Sequence, residues 1–97
     1  KKMLIINLEY KKPLAEVNKY LEDHRNFLQK YYDKNMLIAS GPKDPRTGGI
    51  ILANIDKESI EQIIKEDPFY QNNIADYTIT VFDPVKCSDE FKLILEK

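Results

Sequence analysis

The sequence predicts an α+β fold of the ferredoxin-like type, a βαββαβ sandwich with an added C-terminal helix. Segments with the twofold alternation of strands and segments with helical periodicity follow one another in that order. Glycine, proline, asparagine or aspartate separates most of these segments, as expected at turns. Because 97 residues are enough for one domain only, we expect a single domain over residues 1–97.

The first strand and helix have the clearest patterns. Residues 3–10 predict a strand, and a helix is predicted over residues 13–34, with Pro13 at its first position. Asn35 is suited to a left-handed stop after the helix. Uncharged residues recur on one face of the helix, which predicts that this face packs on the sheet. They are Leu14, Val17, Leu21, His24, Leu28 and Tyr31.

Residues 36–40 and 50–55 predict the second and third strands. The segment between them, residues 41–49, holds all three glycines, whose positive φ we expect to shape a turn, and two of the five prolines. A plain hairpin loop accounts for this composition. The alternative is a loop whose backbone N–H groups and Arg46 bind a small anion.

The second half repeats the alternation of helix and strand. Asp56 predicts the N-cap of a second helix over residues 57–66, and Asp67 before Pro68 predicts its end and the cap of a short turn. Residues 76–82 predict the fourth strand. Ser88 predicts the start of the terminal helix.

Both faces of the predicted sheet carry apolar residues. With the two main helices on one face, Met3, Ile5, Ile51, Ala53 and Phe82 are expected to lie on the other. A large exposed apolar surface is typical of an interface. We therefore expect a symmetric homodimer.

Composition excludes several other classes. The net charge is −1 and the charged residues are interspersed, so no basic surface for nucleic acid is expected. No apolar run has the length of a membrane span or a signal peptide, which favours a cytoplasmic protein. Cys87 has no partner for an internal disulfide, and one cysteine with one histidine is too few for an ordinary zinc site. We expect neither a metal nor a cofactor.

His24, the only histidine, lies in the middle of the apolar helix face. A buried imidazole needs a hydrogen-bond partner. A backbone carbonyl would make His24 a structural residue, whereas a carboxylate would make it a candidate general base. Asp67 has a structural alternative as a helix cap, and Ser40 as an ordinary turn serine.

Several short motifs together resemble the YciI-like (YCII-related) family over residues 3–84. They are His24 with Phe27-Leu28, Ser40-Gly41-Pro42, Gly49 before Ile50-Ile51-Leu52-Ala53, Asp67-Pro68-Phe69, and Tyr77-Thr78-Ile79. The resemblance implies a ferredoxin-like fold that pairs as a dimeric α+β barrel, with a His–Asp pair at His24 and Asp67 as the active site. One relative in that family is a dehydrochlorinase of a chlorinated hydroxyhydroquinone. The sequence departs from the family pattern in having Asn72-Asn73 where a glycine is common, and in a shorter 41–49 loop than some members.

The expected function is therefore cofactor-free proton-transfer chemistry on a small molecule, by elimination, isomerisation or hydrolysis. His24 and Asp67 are the candidate catalytic residues. The alternative is a non-catalytic ligand-binding or interaction module that uses the same cleft. The candidate substrate-binding residues are Ser40, Gly41, Pro42, Arg46, Phe69 and Tyr77.

Overall fold

Four strands and four helices make up residues 2–96, the part of the chain that the computed structural model describes. In chain order they are β1 Met3–Tyr10, α1 Leu14–Tyr32, β2 Leu37–Pro42, β3 Gly48–Ala53, α2 Lys57–Ile64, α3 Pro68–Gln71, β4 Ala75–Phe82 and α4 Asp89–Leu95. The strands form one antiparallel sheet in the order β2-β3-β1-β4. This order is that of a ferredoxin-like sandwich, so the predicted fold class is confirmed.

The core lies between one face of the sheet and helices α1 and α2. Leu4, Ile6 and Leu8 of β1 are almost completely buried there, because β1 lies between β3 and β4 and its alternate residues face the helices. The helices complete the core with the apolar residues Val17, Leu28, Tyr31, Ile60, Ile63 and Ile64. No helix within residues 2–96 is long and apolar enough to cross a membrane.

The opposite face of the sheet differs from the prediction. Ile51 and Ala53 pair with Ile6 and Leu4 and are buried in the helix-covered core. Their neighbours Ile50 and Leu52, only half buried, alternate onto the other face instead. An uninterrupted apolar strand has no polar residues to set the phase of its alternation, so only pairing with β1 decides it.

The exposure of the side chains at one end of the outer face also differs from the expectation of a bare apolar surface. Met3 is only 1% exposed, whereas Ile5 is half buried and Phe82 is exposed. Near this end Asn54, which follows β3, donates from Nδ2 to the carbonyl oxygen of Ile94 in α4 at 3.1 Å. Of the predicted outer-face residues at this end, only Met3 is fully covered within one chain.

The loop is shorter than predicted, because four of the nine residues in segment 41–49 belong to strands. Pro42 pairs with Gly49 at the ends of β2 and β3, which leaves only residues 43–47 as the connection. No glycine in the described chain has a positive φ, so the expected reason for the glycines is wrong. Gly48 is instead required by close packing, because a Cβ atom there would lie 1.7 Å from the carbonyl oxygen of Leu8.

Other local signals are confirmed. Asn35 has φ 59° and Asn73 has φ 56°, the left-handed conformation that asparagine tolerates. Asp56 accepts a hydrogen bond from the Ser59 N–H at 2.7 Å, and Ser88 accepts one from Phe91 at 3.2 Å. The N-caps of α2 and α4 are therefore formed as the sequence predicts.

Candidate active site

The candidate site is organised around a buried pair of side chains. His24 comes from the middle of α1, and Asp67 immediately precedes α3. The Nδ1 atom of His24 lies 2.7 Å from Oδ1 of Asp67, and the two residues are 8% and 1% exposed. The prediction that these residues, 43 positions apart in the chain, lie within hydrogen-bond distance is confirmed.

Asp67 accepts two further hydrogen bonds. Its Oδ1 also accepts from the backbone N–H of Phe69 at 2.9 Å, so the carboxylate caps α3 while it contacts the imidazole. Its Oδ2 accepts from the hydroxyl of Tyr77 at 2.6 Å. Pro68 follows at the first helical position, where the absence of its N–H leaves no donor unsatisfied. Three donors from different parts of the fold therefore fix the orientation of one carboxylate.

Tyr77 is a permanent donor to this carboxylate. Burial, and after it the negative charge of Asp67, raises the pKa of the Tyr77 phenol far above its ordinary value. The hydroxyl therefore keeps its proton throughout the physiological pH range. Oδ2 of Asp67 is occupied by this hydroxyl, and Oδ1 is left for His24 and the helix cap.

Phe69 fixes the plane of the imidazole. Its ring is stacked on that of His24 with centroids 4.0 Å apart and an angle of 2° between the planes. The ring of Tyr10 meets Phe69 edge-on at 6.1 Å. Because the stacked ring prevents rotation and the carboxylate holds Nδ1, both the position and the plane of His24 are determined before any ligand binds.

The two nitrogens of His24 have different roles. An ionised carboxylate only accepts hydrogen bonds, so Nδ1 carries the proton shared with Asp67, and Nε2 of the neutral ring presents a lone pair. Among residues 2–96, Nε2 makes no hydrogen bond. The one fully buried side-chain polar atom without a partner there is Oδ1 of Asn54, so Nε2 is not fully buried. Nε2 is therefore accessible, as a general base must be.

His24 lines a cavity of about 430 Å³ between α1 and the β2–β3 part of the sheet. Its walls are largely apolar and its polar side chains are few, which is typical of a small-molecule site. The polar side chains include Arg25, Ser40 and Arg46 beside His24. The apolar and backbone lining comes from Leu8, Tyr10, Leu21, Leu28, Gly41, Pro42, Gly49, Ile50, Ile51 and Phe69.

The cavity contains five of the six predicted substrate-binding residues: Ser40, Gly41, Pro42, Arg46 and Phe69. Tyr77 does not line it and instead lies behind Asp67 as a hydrogen-bond donor. Sequence reasoning missed Arg25 and Tyr10. Arg25 directly follows His24, and its place in the chain is the only signal that could have indicated it.

Ser40 has a local partner of its own. Its Oγ accepts a hydrogen bond from the hydroxyl of Tyr32 at 2.6 Å, and no bond joins Ser40 to His24 in the described structure. A serine nucleophile needs a base within reach of its hydroxyl. The contacts therefore favour Ser40 as a donor at the cavity wall over Ser40 as a nucleophile.

Within residues 2–96, no group of three or more histidine, cysteine, aspartate or glutamate side chains is arranged to hold a metal ion.

The fold and the site together define a small ferredoxin-like domain with a buried His–Asp pair at the wall of a cavity. The model of the YCII-related domain matches residues 3–83, and the chain belongs to this family. No curated protein sequence matches the chain significantly.

A solved structure with the same fold is that of 5-chloro-2-hydroxyhydroquinone dehydrochlorinase (TftG) from Burkholderia phenoliruptrix, in complex with 2,5-dihydroxybenzoquinone. The TM-score is 0.67 at 16% sequence identity, over 93% of this chain and 98% of that chain. At this identity the similarity establishes the fold.

Proposed function

We propose that the protein is a small cytoplasmic enzyme that needs no cofactor and uses His24 as a general base on a small molecule bound in the cavity. The observation that carries this proposal is the geometry of the imidazole, with Nδ1 held 2.7 Å from Asp67 and Nε2 left without a partner at the cavity wall. When Nε2 takes a proton from the substrate, the carboxylate stabilises the imidazolium that forms.

Elimination and isomerisation suit the site better than hydrolysis through a serine nucleophile does. In an elimination, His24 removes a proton from carbon, the electron pair of that bond forms a double bond, and the leaving group departs with its own pair. An isomerisation returns the proton from Nε2 to a different atom. Both need one base and no nucleophile, which is consistent with the absence of a bond between Ser40 and His24 among the described residues.

The structural neighbour supports the same reaction class. Its name describes a dehydrochlorinase, an enzyme that removes hydrogen chloride, and it was solved with a six-membered ring compound. A cavity of about 430 Å³ with apolar walls suits a ligand of this kind. We therefore propose a small cyclic substrate.

A comparison of the wild-type protein with His24→Gln tests the proposal. We expect a screen of small cyclic substrates to find turnover in the wild type, and the variant to lose about 10²- to 10⁴-fold in rate, the usual contribution of a general base. Ligand binding should survive. Binding in the cavity without turnover of any substrate would favour the non-catalytic alternative.

The fold of the variant must be checked at the same time. Unchanged backbone NMR signals away from α1 would show that His24→Gln has lost its chemistry rather than its structure. Full activity of a correctly folded His24→Gln protein would overturn the assignment of His24 as the base.

We also propose that the protein forms a homodimer through the outer sheet face. Ile5, Ile50 and Leu52 on this face are only half covered within one chain. A symmetric pair is the commonest way to cover such a surface. Light scattering at micromolar concentration should give twice the mass of the chain. A mass of one chain would contradict this proposal.

A further inference from the structure

We infer that the cavity binds a small organic anion, whose carboxylate or enolate oxygens are held by the guanidinium groups of Arg25 and Arg46. The inference rests on the proposed function, because it names the class of ligand for the same cavity. Three observations support it, and they concern the charge of the cavity lining, its free hydrogen-bond donors and the chemistry of its walls.

The charge of the lining is entirely positive. Two arginines line the cavity together with His24, and no aspartate or glutamate does. The nearby Asp67 is 1% exposed, lies behind the imidazole, and already accepts hydrogen bonds from three donors. In the part of the chain that the structure describes, neither arginine forms a salt bridge. Their positive charges are therefore not neutralised by the protein.

Arg46 is held in place by a neutral group. Its Nη2 donates to Oδ1 of Asn18 at 2.7 Å, and the residue is half buried. A guanidinium has five N–H groups in a rigid planar arrangement. One bond to a neutral amide positions this group and leaves its remaining N–H groups for a carboxylate or an enolate, which guanidinium binds well.

Ser40 adds an uncharged donor. Because its Oγ accepts from the Tyr32 hydroxyl, its own proton remains available to a ligand in the cavity. The cavity therefore offers hydrogen-bond donors from Arg25, Ser40 and Arg46, and the Nε2 lone pair of His24 is an acceptor on its wall. A ligand that matches this set carries acceptor oxygens and one proton that His24 can remove.

The remaining walls of the cavity require a ligand whose framework is a hydrocarbon. Aliphatic and aromatic side chains, including Leu21, Leu28, Ile51 and Phe69, form most of the surface. A sugar or an inorganic anion would leave these walls in contact with polar atoms. An acid on a ring or a short unsaturated chain satisfies both the apolar walls and the two arginines.

The same charges would assist the proposed reaction. Removal of a proton from carbon places negative charge on the substrate, often as an enolate. Fixed positive groups near that charge stabilise the transition state. Arg25 and Arg46 would therefore contribute to the rate as well as to binding.

The test compares benzoate with benzamide, which have nearly the same shape but differ in charge. We expect NMR titration of the wild-type protein to show binding of benzoate in the cavity at least about tenfold tighter than that of benzamide, because only benzoate forms charge-assisted hydrogen bonds. Benzoate affinity should fall as salt is added, and benzamide affinity should not.

Variants identify the groups responsible. Arg25→Gln and Arg46→Gln should each weaken benzoate binding about tenfold and leave benzamide binding unchanged. Lys57→Gln removes the same charge from the start of α2, which does not line the cavity, and should change neither. Asn18→Ala retains the charge of Arg46 but removes the hydrogen bond that positions its guanidinium. It should therefore weaken benzoate binding less than Arg46→Gln does.

Any of three results would overturn the inference. Benzoate and benzamide could bind equally well, neither could bind, or benzoate affinity could be unchanged in both arginine variants. His24→Gln separates this result from the proposed function. If benzoate binding depends on the arginines in that variant too, the ligand class stands even where the proton-transfer proposal fails. If substrate turnover requires His24 but charge does not affect binding, only the ligand class is wrong.

Discussion

Within residues 2–96, two aspartates are helix N-caps, and their surroundings are opposite. Asp56 caps α2 on the surface and accepts a single hydrogen bond, from Ser59. Asp67 caps α3 in the interior and accepts from Phe69, His24 and Tyr77. The local sequence signal is the same at both positions. Only the tertiary structure turns the second cap into the centre of a candidate active site.

The carboxyl–tyrosine pairs show the same contrast. Tyr77 donates to the buried Asp67, and Tyr31 donates at 2.6 Å to Glu66, whose side chain is half exposed. A hydrogen bond to a buried carboxylate is hard to replace, whereas water can replace one at the surface. Substitutions at Asp67 and Tyr77 should therefore have larger effects than matched substitutions at Asp56 and Glu66.

The largest effect is expected for Asp67→Ala. The change leaves Nδ1 of His24, the Tyr77 hydroxyl and the Phe69 N–H without their acceptor, and should lower the free energy of unfolding by about 3–5 kcal/mol. Urea denaturation measures this difference. Asp56→Ala is the matched control and should cost about 0.5–2 kcal/mol, the usual cost of losing an N-cap. Equal losses in the two variants would show that Asp67 is only a cap.

Asp67→Asn is a smaller change, and it tests whether Asp67 sets the tautomer of the His24 imidazole. The amide retains the shape of the side chain but can no longer accept with two equivalent oxygens, so Nδ1 of His24 should lose its strict preference for the proton. Nitrogen NMR shifts of the ring report which nitrogen is protonated. A tautomer population equal to that of the wild type would show that Asp67 does not set it.

Tyr77→Phe should have the next largest effect on stability. It removes the donor to Oδ2 of Asp67 and should cost about 1.5–3 kcal/mol, the range for hydrogen bonds to charged groups. Turnover should also fall, because two donors instead of three then hold the carboxylate of Asp67. Tyr70→Phe removes an exposed hydroxyl from a neighbouring ring and should leave both measurements unchanged. If Tyr77→Phe and Tyr70→Phe behave alike, Tyr77 does not position the carboxylate.

Gly48→Ala tests the close approach of the strands that form the cavity wall. The new Cβ would meet the Leu8 carbonyl oxygen, so β3 must move from β1 at a cost of about 1–3 kcal/mol. Gly41→Ala is the control, since no atom lies within 4 Å of its added Cβ. Thermal unfolding of the two variants should separate them clearly. Equal stability would mean that the strands adjust without strain.

The smallest effect concerns the Tyr31–Glu66 pair and appears as a pH dependence. Burial, and then the hydrogen bond and charge of Glu66, raises the pKa of Tyr31 from 10.0 to about 12. Because the folded pKa lies above the unfolded one, the stabilisation is complete below pH 10 and is lost as the pH rises through about 12. The hydrogen bond from Tyr31 in turn lowers the pKa of Glu66, so its contribution is present above the ordinary pKa of 4.5 and is lost in acid below it.

Glu66→Gln should therefore lower the pKa of Tyr31 while leaving it above 10.0, because burial is the largest cause of the shift. Ultraviolet titration of the phenolate, with Tyr31→Phe subtracted to isolate one tyrosine, measures the change. A return of the pKa to 10.0 in Glu66→Gln would make Glu66 rather than burial the dominant cause.

The sequence by itself determined the features that depend on neighbours in the chain. The order of helices and strands, the left-handed Asn35 and the caps at Asp56, Asp67 and Ser88 follow from residues a few positions apart. The family motifs identified His24 with Asp67, and the apolar neighbours of His24 showed why a partner was needed. Periodicity and capping are local interactions, so a linear pattern records them.

Only the tertiary structure decided the contacts between distant segments. Packing and pairing placed Ile51 in the core, Tyr77 behind Asp67, Arg25 at the cavity wall, and the backbone of Leu8 against Gly48. Each of these facts depends on which elements lie beside one another and, for the strands, on the register of their pairing. A strand that is apolar on both faces does not encode that register, because shifting it by one residue replaces one apolar face with another.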